Sequence, residues 1–206
     1  MLAQEKLPVR RVPVGISNRH VHLTPEALET LFGQDYKLQV RRELSQPGHY
    51  AAEETVTIVG PKGVFQRVRV LGPVRRATQV EISRTDCYSL GINPVVEESG
   101  VIKPTPCLAI VGPLGAITVC SGVMVALRHI HINPRDAADL GLSDGDLIKI
   151  RTGGRRSIIL ENVKVRVNDK FITEVHLDLD EANAADLRTG DLVEIITTEP
   201  GKQGDA

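Results

Sequence analysis

The sequence predicts a mainly β protein whose sheet closes into a barrel. Three observations carry that prediction. Short runs that alternate apolar and polar residues recur along the chain, as strands with one buried face require. Gly- and Pro-rich turns separate them at regular spacing. A helix–turn–strand unit occurs twice in the last third, which suggests a pseudo-symmetric barrel.

Residues 1–8 read as a polar tail, and 11–18 alternate as a first strand. Thr24-Pro25-Glu26 then opens a short helix, with Thr24 as N-cap, Pro25 in the first helical position, Leu28, Leu31 and Phe32 as its apolar face and Gly33 as its stop. From 33 to 53 the periodicity fades around Ser45-Gln46-Pro47-Gly48-His49-Tyr50, a stretch that suits either a lid or a surface hairpin. Strands follow at 55–59, 64–71 and 78–83, the first two joined by the turn Gly60-Pro61-Lys62-Gly63. Two more, 107–111 and 116–119, flank Gly112-Pro113-Leu114-Gly115. The repeated unit comes last. Asn133 caps a helix with Pro134 at its start, and Ala137-Ala138-Asp139-Leu140 leads through Gly145-Asp146 to the strand 147–150. A strand at 174–178 precedes the second copy, in which Ala184-Ala185-Asp186-Leu187 leads through Gly190-Asp191 to 192–195, and 197–206 reads as a tail.

Lys and Arg number 25 against 26 Asp and Glu, so no global field points to nucleic acid or an anionic membrane. Aromatics make up 3%, too few for a base-stacking platform. No apolar run reaches the length of a membrane span. Cys87, Cys107 and Cys120 are odd in number and lack a CxxC spacing, which argues against a disulfide framework, fits a reducing compartment and leaves each expected as a small buried apolar side chain.

The chemistry concentrates in a motif that occurs twice. Arg19-His20-Val21-His22-Leu23-Thr24-Pro25 and Arg128-His129-Ile130-His131-Ile132-Asn133-Pro134 hold four of the six histidines. On a strand, residues i and i+2 share a face, so each copy presents two imidazoles side by side. That is a natural half of a zinc site. Glu81 lies between apolar neighbours on a predicted strand, where a buried carboxylate needs a partner or a metal. His176 precedes the second repeat unit much as His131 precedes the first. Six candidate ligands, His20, His22, Glu81, His129, His131 and His176, suit two zinc ions with three protein ligands each, the pattern that leaves positions open for substrate.

The stretches Gly15–Leu23, Gln79–Ile82, Arg128–Ile132 and Val175–Leu177 carry a resemblance over residues 10–196 to the PduL-type phosphotransacylases, the phosphate propanoyltransferases. The resemblance implies two β-barrels capped by short helices. One would combine 9–18 with 127–196, and the other would span 19–126 with a lid insertion at 33–53. It implies one zinc on His20, His22 and Glu81 and a second on His129, His131 and His176, with Arg75 as the catalytic arginine that holds phosphate. Gln46, Gln79, Ser99 and Arg166 match further polar positions near the site, and Tyr88 matches an aromatic placed against the coenzyme A adenine. The implied reaction interconverts acyl-CoA plus phosphate with acyl phosphate plus coenzyme A, for a short acyl chain (acetyl or propanoyl). It would proceed by direct attack of a zinc-held coenzyme A thiolate on the acyl phosphate. A dinuclear zinc hydrolase of acyl phosphates or phosphoesters is the alternative enzyme, and a zinc-stapled binding module the alternative without turnover. The resemblance further implies a homodimer. Many relatives carry an N-terminal microcompartment-targeting peptide; about ten residues precede the first strand here, so the expected location is the cytoplasm, with neither a membrane nor a nucleic-acid partner.

Overall fold

The computed structural model describes residues 10–93 and 95–196. The predicted tails at 1–8 and 197–206 lie outside the described residues. Among the described residues the fold is mainly β with four short helices, and the chain divides into two compact units. One takes Ser17–Leu127 with Asp178–Asp180; the other takes Arg128–Leu177 with the chain up to Ile16 and from Glu181 onward.

In chain order, β1 (Arg10–Ser17) is followed by the three-residue β2 (His20–His22), which contains the first motif. Helix α1 (Pro25–Phe32) starts as its sequence predicts: Thr24 accepts a hydrogen bond from the Ala27 amide at 3.1 Å. Strand β3 (Val40–Glu43) pairs antiparallel with β4 (Tyr50–Val59), so the ambiguous 33–53 stretch contains a hairpin. Buried Glu54 ties it down by accepting hydrogen bonds from the Tyr36 hydroxyl and the Gln39 amide. Strand β5 (Val64–Gly72) precedes β6 (Gln79–Glu81), which is shorter than the predicted 78–83 strand because Ser83 turns the chain into an unforeseen helix, α2 (Arg84–Leu90). There Ser83 Oγ accepts from the Asp86 amide while Asp86 Oδ2 accepts from the Ser83 amide, both at 3.2 Å, a capping box that satisfies two otherwise orphaned donors.

Strands β7 (Val96–Glu97), β8 (Pro104–Val111), β9 (Ala116–Ser121) and β10 (Val123–Ala126) complete the first unit. The second unit continues with β11 (His129–Ile132), α3 (Pro134–Leu140), β12 (Leu147–Arg151), β13 (Ile159–Val167), β14 (Glu174–Asp178), α4 (Leu179–Ala185) and β15 (Leu192–Ile196). Here α4 starts two residues ahead of the predicted Glu181, directly at the end of β14.

The two units solve burial differently. In one, β1-β14-β11-β13-β12-β15 closes into a barrel, with β1 pairing back onto β15. Its core is a set of alternate β-branched and Leu side chains, among them Val14, Ile130, Ile132, Ile150, Val163, Val165, Val175 and Leu177. In the other, a curled sheet runs β7-β10-β6-β2-β5-β4-β8-β9, with β3 on β4. Its core includes Val21, Leu23, Ile58, Val70, Val80 and Ile110. Because strand side chains alternate, burying Val21 and Val80 in one core and Ile130, Val175 and Leu177 in the other sends the intervening histidines and carboxylates to the opposite face of each sheet.

The cysteines depart from the expectation of three small buried side chains without a disulfide. Cys87 is buried and free, but Cys107 and Cys120 are exposed and joined in a disulfide between β8 and β9. The antiparallel pairing sets them beside the Leu108–Val119 pair, with Cα atoms 4.0 Å apart. Sequence spacing does not reveal such a cross-strand pair; strand register does.

Candidate metal and phosphate site

In the curled-sheet unit, β2 and β6 run antiparallel with His20 opposite Glu81 and His22 opposite Gln79. All four side chains are buried. Each imidazole has Nδ1 near a backbone carbonyl, 2.8 Å for His20 to Asn18 and 3.2 Å for His22 to Leu71. Donating Nδ1–H there leaves Nε2 as the lone-pair nitrogen and fixes the ring, as second-shell partners of metal-binding histidines do. Both Nε2 atoms face one carboxylate: His20 Nε2 is 3.5 Å from Glu81 Oε2, and His22 Nε2 is 3.8 Å from Glu81 Oε1. Burial, and then the charges of His20 and Arg75, hold the His22 pKa far below the usual imidazole range, so the ring stays neutral and able to bind a cation. One ligand atom from each of His20, His22 and Glu81 lies within 4.8 Å of the others. Two nitrogens and one carboxylate oxygen form a donor set that suits zinc.

Arg75 sits beside this set. Its Nη1 donates to Gln79 Oε1 at 2.9 Å and lies 4.0 Å from Glu81 Oε1. Its backbone amide is tied to the Leu23 carbonyl at 2.8 Å. Gln79, 2% exposed, is anchored at its other end by a long contact to Met124 sulfur at 3.9 Å. Ser99 donates its hydroxyl to Glu81 Oε1 at 2.6 Å. The positive charge of Arg75, after burial, also lowers the pKa of His49, which places this imidazole from the β3–β4 connection in the arginine's field. Gln46 is buried in the same connection, where its carbonyl accepts from the His49 amide at 3.2 Å. Tyr88 projects from α2 at 87% exposure.

The barrel unit repeats the arrangement. Antiparallel β11 and β14 set His129 opposite His176 and His131 opposite Glu174. The three imidazoles cluster with ring centroids 4.6–5.0 Å apart, and one ligand atom from each lies within 4.8 Å of the others. Phe171 stacks on His131 at 4.0 Å, covering one face of that ring. Three imidazole nitrogens again suit zinc. Arg166 stands opposite His131 on the parallel neighbour β13.

Two kinds of residue escaped the sequence reading. The first arginine of each motif copy is used structurally: Arg19 binds Asp86 Oδ1 at 2.7 and 3.0 Å and lies 4.3 Å over the Phe65 ring, while Arg128 binds Glu181 Oε1 at 2.7 Å. The other is Glu174, a buried acid beside His176. Its signal was present, since Glu174 and His176 are two apart on one strand and share a face.

The phosphate propanoyltransferase family profile matches residues 13–188. A phosphate propanoyltransferase of Thermotoga maritima is 55% identical over 184 residues, covering 89% of this chain and 88% of the relative. One of Rhodopseudomonas palustris is 49% identical over 185 residues, covering 90% and 82%. One of Priestia megaterium is 48% identical over 190 residues, covering 92% and 88%. The protein is an acyltransferase of the phosphotransacylase kind. The chain belongs to the phosphate propanoyltransferase family.

Among the described residues, no helix is long and apolar enough to cross a membrane.

Proposed function

We propose that this protein interconverts a short-chain acyl-CoA (acetyl or propanoyl) plus phosphate with acyl phosphate plus coenzyme A, and that it does so with one zinc on each donor set. The observation that carries the zinc reading is the Glu81 carboxylate, placed between the Nε2 atoms of His20 and His22 with the Arg75 guanidinium 4.0 Å away. A buried donor set that suits a cation and a partly exposed guanidinium that suits an anion thus lie side by side.

Zinc at His20, His22 and Glu81 would supply one thing, a lowered thiol pKa, so that the coenzyme A sulfur is available as thiolate at neutral pH. His20 and His22 stay oriented through the Asn18 and Leu71 carbonyls, and Ser99 orients the Glu81 carboxylate by donating to Oε1. Arg75 binds the phosphate group of the acyl phosphate and keeps it as the sulfur–carbon bond forms and the carbon–oxygen bond to phosphate breaks. Gln79 holds the guanidinium in place for that task. Proximity does the remainder, because both reactants are held rather than recruited. No serine or cysteine of the chain forms an acyl intermediate in this scheme; Cys87 is buried, with its pKa pushed up to about 11 by burial and then by Asp86.

The test measures zinc content and acyl-phosphate consumption with and without coenzyme A, in the wild type, His20→Ala and His176→Ala. The expected result is strict dependence on coenzyme A, about two zinc ions per chain in the wild type, and one fewer in each variant with activity reduced by about 10²-fold or more. Full activity with unchanged zinc in His20→Ala overturns the reading. Equal consumption without coenzyme A makes the protein a hydrolase instead.

A further inference from the structure

Glu174 is a buried carboxylate on the strand that carries His176. Its side chain is 8% exposed, and an ionised group removed from water needs a compensating charge or donor. It lies on β14 two residues before His176, and the strand register sets it opposite His131. Glu174 Oε2 is 3.2 Å from His176 Nε2.

Gly15, in β1, faces this carboxylate. A Cβ at that position would stand 2.8 Å from Glu174 Cδ and 2.9 Å from Oε2, closer than side chains tolerate. Gly15 is not among the residues with a left-handed backbone, so backbone conformation does not demand glycine there. The contact is one of space: the Glu174 carboxylate, the end of its side chain, lies where a Cβ at 15 would stand and would have to shift for one.

The two donor sets also differ in charge. The first includes Glu81, an anion; the second consists of three imidazoles, neutral when they bind a metal. The strand position opposite the second histidine of each pair is Gln79 in one unit and Glu174 in the other. Gln79 supports the Arg75 guanidinium. Glu174 brings a negative charge to the set that has none.

We propose that Glu174 is a positioning residue of the second metal centre: its carboxylate, at ion-pair distance from the His176 ring, supplies the compensating negative charge, and Gly15 leaves room for it. This rests on the reading of His129, His131 and His176 as a zinc site. Groups of this kind, adjacent to metal ligands, typically change metal affinity by about 10–100-fold when removed.

Zinc competition against a chromophoric chelator, on the full-length protein, tests it. His129→Ala and His20→Ala first identify which zinc belongs to which set. Glu174→Gln, which keeps shape and removes charge, should weaken the zinc assigned to His129, His131 and His176 by about 10–100-fold and leave the other unchanged. Gly15→Ala, which displaces the carboxylate without altering its charge, should weaken the same zinc, and Glu174→Asp should restore part of the loss. Thermal melting of the zinc-free proteins serves as control, since a merely structural role would lower stability without selecting one zinc. Should Glu174→Gln fail to fold, Gly15→Ala carries the same expectation. Wild-type affinity in Glu174→Gln and Gly15→Ala, with one zinc lost in His129→Ala, overturns this inference alone. Unchanged zinc in His129→Ala overturns the zinc reading of that set, and this inference with it.

Discussion

His129 and His176 stand directly opposite each other on antiparallel strands, their rings 5.0 Å apart and 11° from parallel. His20 and Glu81 hold the same relationship in the other unit. The repetition extends further. Each Arg-His-x-His strand has an antiparallel neighbour that brings the third candidate ligand and a parallel neighbour on its other side. Each antiparallel neighbour leads into a helix whose acid holds the motif arginine, Asp86 for Arg19 and Glu181 for Arg128. One supersecondary unit thus builds a donor set twice. The copies differ at the third candidate ligand, Glu81 or His176, and at the position opposite the second histidine, Gln79 or Glu174.

Arg75 should matter more than the residue that supports it. Arg75→Ala removes the only charge-assisted contact proposed for the phosphate group. It should lower kcat/KM for acyl phosphate by about 10²–10³-fold, and Arg75→Lys should recover little, because an ammonium lacks the planar fork. Gln79→Ala leaves the guanidinium in place but unsteadied, for a loss nearer 10-fold that falls chiefly on KM. Steady-state kinetics over a range of acyl phosphate decides the matter. An equal loss in the two alanine variants would mean that Gln79 contacts substrate itself.

The motif arginines should differ in their effect on stability. Asp86 is 4% exposed and Glu181 18%, so Arg19→Ala takes the cation from a more deeply buried carboxylate than Arg128→Ala does. Arg19 also loses its position over Phe65. Arg19→Ala should cost about 1.5–3 kcal/mol, and Arg128→Ala about 0.5–1.5 kcal/mol. Urea midpoints of the zinc-free variants measure the difference. The reverse order would mean that the helix dipole and capping box around Asp86 carry its charge without Arg19.

What could be read from the sequence was what is local. Caps and turns placed α1 and α3 because Thr24-Pro25 and Asn133-Pro134 act within one turn. Period-two alternation showed which face of β2 and β11 carries the histidines, since that depends only on the pleat. Helix α2 is not legible in the sequence because Ser83 fits the end of a strand pattern as well as it fits a cap. The Cys107–Cys120 bridge escapes a sequence reading because it depends on which residue of another strand lies alongside, and register is fixed by the assembled sheet.

Cys87 allows a sharp test by pH. Burial first, and then the Asp86 charge, pushes its thiol up to about 11 from an ordinary value of 9.0. Between those values the unfolded chain has released the proton and the folded chain still holds it. The folded state therefore binds more protons, and stability must fall as pH rises through this window. The contribution is fully present below pH 9 and is lost by about pH 11, amounting to roughly 2–3 kcal/mol. Cys87→Ala removes the titrating group, so its stability should decline less steeply than that of the wild type between those limits, as urea midpoints at successive pH values would report. At pH 7.5 the folded wild type should react with iodoacetamide at Cys87 far more slowly than the unfolded chain, because the thiolate is the reactive form. Cys87→Ala should also retain acyl transfer. Loss of activity in a folded, zinc-loaded Cys87→Ala protein would make this thiol a nucleophile and overturn direct transfer to coenzyme A.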